Sequence, residues 1–111
     1  MKKLILLCFV LTVVSPAFSQ KTDVEKKLAE MGLKLPAAQK PIANYVKAVR
    51  VGNLVFLAGH GPSKVDGTDI AGKVGKDLTV EQGYDAAKSV GLNLLTSLKA
   101  EIGDLNKVSA L

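Results

Sequence analysis

The segment from Val80 to about Ile102 constrains this chain more than any other feature. Thr79-Val80-Glu81-Gln82 is a capping box: the Thr hydroxyl takes the amide three residues on, and the Gln side chain reaches back. Gly103 supplies the left-handed stop at the far end. Between them Ala87, Val90, Leu94, Leu98 and Ile102 form one apolar stripe at helical spacing, with Gly91 and Leu95 beside it. Gly83 and Gly91 each cost such a helix about 1 kcal/mol relative to Ala, so close packing against a sheet is expected in return. A helix with one apolar stripe needs a partner surface, and the residues before it provide one.

Tyr45 to Val51 is rich in β-branched residues and roughly alternating, which predicts a half-buried strand. Gly52-Asn53 is a two-residue turn, and Leu54 to Gly59 is continuously apolar, as for a strand buried on both faces. His60 to Asp69 is a loop, and Ile70 to Val74 is a third, weaker strand. Upstream, Thr22-Asp23-Val24-Glu25 is another capping box. Val24, Leu28 and Met31 share one helical face, Gly32 caps it, and Leu33 folds back on the last turn. Leu35 to Pro41 reads as an extended connector. Lys107 to Leu111 looks like a strand beginning. The class is α+β. Hairpin and helix leave one sheet edge open, an invitation to association, and the sequence reads as lacking its C-terminal half.

The chain also carries an export signal. Lys2 and Lys3 precede an apolar run from Leu4 to Val14, and Ala17-Phe18-Ser19 offers small residues for cleavage before Gln20. The run is shorter than the roughly twenty residues a membrane span needs. Cleavage removes Cys8, the single cysteine, so neither a disulfide nor a thiolate metal site is available afterwards. A secreted or periplasmic protein without a membrane anchor is expected.

Without Lys2 and Lys3, thirteen basic residues face ten acidic ones, and the lysines are scattered, as on an ordinary soluble surface. Three aromatics after Ser19, namely Tyr45, Phe56 and Tyr84, are too few for a nucleic-acid stacking platform. Nucleic acid is therefore not indicated as a partner. His60 is the only histidine, so a metal centre is not indicated either. Gly67 to Lys73 has P-loop spacing, but Val74 replaces the magnesium-holding hydroxyl and no helix starts there.

Several stretches together resemble one family. They are Pro41-Ile42-Ala43-Asn44-Tyr45, the Arg50 to Phe56 hairpin, Ala58-Gly59-His60-Gly61-Pro62 and the helix from Gln82 to Asp104. In that order and spacing they are similar to the RidA family, also called YjgF or endoribonuclease L-PSP, in its chorismate-mutase-like branch. The likeness divides the chain into a leader over 1–19, a capped helix and linker over 20–34, and an incomplete domain over 35–111. It implies a sheet of about six strands with two helices, and homotrimers with ligand clefts between subunits.

The resemblance implies an enamine or imine deaminase-type hydrolase of small metabolites, working without a cofactor. Two alternatives remain: a non-catalytic trimer binding a small ligand or protein partner, and the endoribonuclease of the family's name. Tyr45 and Gly59 stand at the family's cleft-lining tyrosine and glycine, while Ala58 replaces its serine and loses a hydroxyl. Ligand-binding residues are thus expected at Tyr45, Ala58, Gly59, His60 and Gly61, with His60 the candidate acid or base. The resemblance places the family's carboxylate-holding arginine on later strands, beyond Leu111, and Arg50, in the first strand, does not replace it.

Overall fold

The computed structural model describes residues 23–38, 40 and 44–111. The leader, Thr22 of the first capping box and Pro41-Ile42-Ala43 lie outside the described residues. In order, the elements are helix α1 (Val24–Glu30), strands β1 (Ala48–Val51) and β2 (Leu54–Leu57), helix α2 (Val80–Ile102) and a 3-10 turn at Leu105–Lys107. They make a small α+β unit in which α2 packs on both strands.

Helix α1 is capped by Asp23, one residue later than the expected Thr22–Glu25 box, because the Asp23 carboxylate accepts from the amides of Glu25 and Lys26. The far end is a Schellman motif, with Leu33 N–H on Leu28 O at 2.9 Å, Gly32 N–H on Ala29 O at 3.0 Å and Gly32 at φ +68°. Asn106 ties the helix to the 3-10 turn by accepting from Val24 N–H at 2.8 Å and donating to Asp23 at 3.4 Å. The Lys26 amide, then Asn106, hold the Asp23 carboxyl below the usual range. A lowered folded-state value gives stabilisation that is complete above the ordinary aspartate value of 3.8 and lost as pH falls through the lowered one. Amide exchange at Val24–Lys26 is therefore expected to quicken in acid, below that value, before exchange within α2 does. Simultaneous loss of protection in both helices would contradict it.

Strands β1 and β2 pair antiparallel, Ala48 opposite Leu57 and Val51 opposite Leu54. Within the loop only Gly52 has positive φ, +60°, as a type II′ turn requires at its first position. The hairpin is shorter than the sequence suggests, and β2 is buried on one face only. Val55 and Leu57 are half-buried on the side of α2, whereas Leu54 is 63% and Phe56 59% exposed. Among the described residues nothing covers that second face.

The expected third strand over Ile70–Val74 is absent. The segment makes one isolated bridge instead, Val74 with Leu78, and another, Ser63 with Asp69, lies just before it. Gly72 at φ +149° and Gly75 at φ +87° interrupt any extended run between them. The strand expected from Lys107 is also absent. Asp104 caps the 3-10 turn through the Asn106 amide at 2.8 Å, and the turn closes with Val108 N–H on Leu105 O. Helix α2 does not start near Lys73 but at Val80, so no helix N-terminus meets the P-loop-like segment.

Helix α2 runs from the Thr79–Gln82 capping box to Gly103 at φ +83°, as the sequence suggests. Its apolar stripe is only partly right: Leu98 is buried and Val90, Leu94 and Ile102 are half-buried, but Ala87 is exposed. An adjoining face carrying Ala86, Ser89, Asn93, Thr96 and Ser97 is covered by the connector and the loop after β2. Thr96 offers its hydroxyl to Pro36 O at 3.2 Å and Leu92 O at 2.9 Å, fastening the connector to the helix.

Neither glycine of α2 packs on the sheet. A Cβ at Gly83 would lie 2.7 Å from Val74 Cγ2, a loop side chain, whereas one at Gly91 would meet nothing within 4 Å. Gly91→Ala is expected to stabilise the chain by about 1 kcal/mol. In Gly83→Ala the same gain is offset by about 1–3 kcal/mol of overpacking. Denaturant melts of the two variants separate them, and equal stabilisation would contradict the Gly83–Val74 contact.

Candidate functional site

The loop after β2 turns back over α2 and borders a half-open cavity of about 340 Å³. That volume is within the usual range for small-molecule sites. Tyr45, Gly59, His60 and Gly61 line it together, four of the five residues expected from the sequence. Ala58 does not line it. Its N–H pairs with Lys47 O at 3.0 Å, and its carbonyl takes the His60 ring. Its contribution to the cavity is therefore made through its backbone.

His60 is held from two sides. Nδ1 lies 2.7 Å from Ala58 O, and Nε2 lies 2.6 Å from Ser97 Oγ on α2. A carbonyl oxygen can only accept, so Nδ1 carries the proton, and Nε2 of the neutral ring accepts from the serine hydroxyl. Both nitrogens are thus engaged within the protein, and the imidazole presents no free nitrogen to a ligand in this arrangement.

Among the other lining residues are four polar ones that sequence reasoning missed. They are two lysines, Lys40 and Lys47, one acid, Asp69, and Asn93 from α2. Asn93 Nδ2 donates to Gly61 O at 3.0 Å and Ser63 Oγ at 2.9 Å. The sequence held one signal for this: Asn93 and Ser97 are polar residues one turn apart on the helix. Across the loop, Lys64 N–H pairs with Thr68 O and Asp66 accepts from Thr68 N–H at 2.9 Å. The Thr68 amide in particular holds the Asp66 carboxyl below the usual range.

Gly59 and Gly61 have open space where a Cβ would stand, so each leaves room at the wall. Arg50 is elsewhere. It donates to Gly52 O at 3.0 Å and lines a separate groove of about 670 Å³, beside Leu54, Leu98, Ile102 and the last residues. That groove is larger, but its walls are mainly aliphatic. The larger groove carries Arg50, Asn53, Lys107 and Ser109 as its polar residues, and the smaller cavity is the one that holds the residues expected from the sequence. Among the described residues no cluster of three or more His, Cys, Asp or Glu side chains could hold a metal ion.

No protein-family model matches the chain. It is 36% identical over 85 residues to Protein TCP17 of Trypanosoma cruzi, covering 77% of this chain and 53% of that protein. The fold is similar to the crystal structure of the Agrobacterium tumefaciens protein Atu1372, of unknown function, with TM-score 0.64 and 33% identity over 78% of this chain and 51% of that one. It is also similar to a "putative endoribonuclease" from Shewanella oneidensis MR-1, with TM-score 0.69 and 32% identity over 76% and 56% of the two chains. The chain spans about half the length of these relatives.

Proposed function

We propose that the chain is a member of the RidA family, and that it binds a small carboxylated molecule in the cavity beside Tyr45. One observation carries this reading: Tyr45, Gly59, His60 and Gly61 line a cavity together with Lys40 and Lys47. The likeness to the Shewanella oneidensis structure supports the family assignment. Two lysines against one aspartate favour an anionic ligand, and the absent Cβ at Gly59 lets it approach the backbone.

Binding is better supported than hydrolysis. Imine hydrolysis needs a group that delivers or activates water, yet both His60 nitrogens are engaged and Ala58 has no hydroxyl. Calorimetry with 2-oxobutanoate and with uncharged butanone tests the reading. The carboxylate is expected to bind and the ketone not to. Lys47→Gln should weaken binding by about tenfold, the scale of one lost charge-assisted hydrogen bond. Equal affinity for both compounds would remove the anion site from the account.

The Shewanella oneidensis protein's printed name supports a second reading, as a ribonuclease. Cleavage of single-stranded RNA by purified protein, abolished by Lys40→Gln and Lys47→Gln together, would favour it over the small-ligand reading.

A further inference from the structure

Helix α2 carries two polar side chains that meet the cavity-lining loop, Asn93 at the cavity wall and Ser97 outside it. Ser97 is 8% exposed, and its hydroxyl reaches His60 Nε2 at 2.6 Å. Asn93 lies one turn earlier and donates to Gly61 O and Ser63 Oγ. Ser63 is itself 7% exposed and bridges to Asp69, which also lines the cavity. Together these contacts fasten the loop at His60, Gly61 and Ser63, three residues within a span of four. Buried polar groups that are fully partnered specify one arrangement, because each alternative leaves a donor or acceptor without a partner.

We infer that Asn93 and Ser97 are the positioning residues of the cavity: they fix the rim and lock the His60 imidazole as its Nδ1–H tautomer. Ala58 O imposes the proton on Nδ1, and Ser97 reinforces it by donating to Nε2. The ring is then turned toward α2 and serves as wall. Asn93 keeps the Gly61 carbonyl turned to the helix, which sets the course of the glycine backbone along the cavity. Neither residue needs to touch a ligand. The inference about the rim and ring concerns the protein's own geometry; its consequence for affinity rests on the small-carboxylate reading.

Imidazole ¹⁵N spectra of the full chain test it, with Ser97→Ala and Asn93→Asp as variants. Alanine is the better helix former, so Ser97→Ala is expected to keep α2 intact. The wild-type spectrum should show a protonated Nδ1 and an Nε2 that accepts a hydrogen bond. Ser97→Ala should shift Nε2 toward an unbonded nitrogen and mix the tautomers, and Ser97→Thr should restore the pattern. Asn93→Asp should speed exchange of the hydrogen-bonded loop amides of Lys64 and Ile70 without speeding exchange at the centre of α2. Each variant should weaken 2-oxobutanoate binding by about tenfold, the scale of one lost hydrogen bond.

A ring spectrum unchanged by Ser97→Ala, or a wild-type ring protonated at Nε2 alone, would overturn the inference. So would altered spectra with undiminished affinity, since the residues would then hold the loop without setting the site. If the wild type binds no 2-oxobutanoate, the small-carboxylate reading fails, and the ¹⁵N spectra alone decide whether Asn93 and Ser97 fix the rim.

Discussion

Leu105→Ala is expected to destabilise the chain by about 2–5 kcal/mol, the range for emptying a buried leucine site. Among the described residues the buried hydrophobic side chains are Ala86, Leu98 and Leu105, and Leu105 is the most enclosed at 1% exposure. It sits in the 3-10 turn, which packs on both α1 and α2. The polar ties of that turn, through Asn106 to Asp23 and Val24, are exposed or part-buried and contribute less. The ion pair of Lys99 with Glu25 at 2.8 Å is exposed and adds little more. Domains of this size have stabilities of order 5–15 kcal/mol, so one truncation here removes a large part of the margin. A thermal melt should fall by about 10 °C or more. Val65→Ala, at a site 72% exposed, should change stability by less than about 0.5 kcal/mol. Similar melts for the two variants would mean that the core lies elsewhere.

Helix α2 was fully legible because its limits are written locally: a Thr–Gln capping box at one end and a glycine at the other. The same holds for the Gly52-Asn53 turn and the Schellman end of α1. Burial was not legible in the same way. Leu54-Val55-Phe56-Leu57 has the composition of a strand covered twice, yet covering is a property of the partner, and α2 reaches only the Val55–Leu57 side. Ile70–Val74 had strand residues but glycines at positive φ around it, so turn chemistry prevailed over propensity.

The candidate site was half legible. Tyr45 and the Gly59-His60-Gly61 stretch came from the resemblance, and the structure gathers them around one cavity. Ala58 was read as a missing side chain, but its role lies in a carbonyl, which residue type does not encode. Lys40 and Lys47 looked like two solvated charges among many. Asn93 and Ser97 come from a helix more than thirty residues away, and only the fold shows which loop they meet.

Gly59→Val is expected to abolish binding of 2-oxobutanoate while leaving the melting temperature nearly unchanged. The two halves follow from one observation. A Cβ at Gly59 meets no atom within 4 Å, so the side chain can be accommodated without displacing protein. Gly59 also lines the cavity, so the added isopropyl group occupies space that a ligand would need. Its φ is not in the left-handed region that favours glycine, so backbone strain does not confuse the result. A loss of more than about a hundredfold corresponds to roughly 3 kcal/mol, what steric exclusion from a small site should produce. Retained affinity in a folded Gly59→Val protein would place the ligand elsewhere, with the Arg50–Leu54 groove the next site to probe.

Amide chemical-shift mapping of the full chain during titration with 2-oxobutanoate addresses the central claim most directly, because it reports where the ligand sits. Saturable shifts are predicted at Tyr45, Lys47, Gly59, Gly61 and Asn93, around the cavity of about 340 Å³. Shifts confined to Leu54, Ile102 and Val108–Leu111, which line the larger groove, would contradict it, as would a spectrum that does not change.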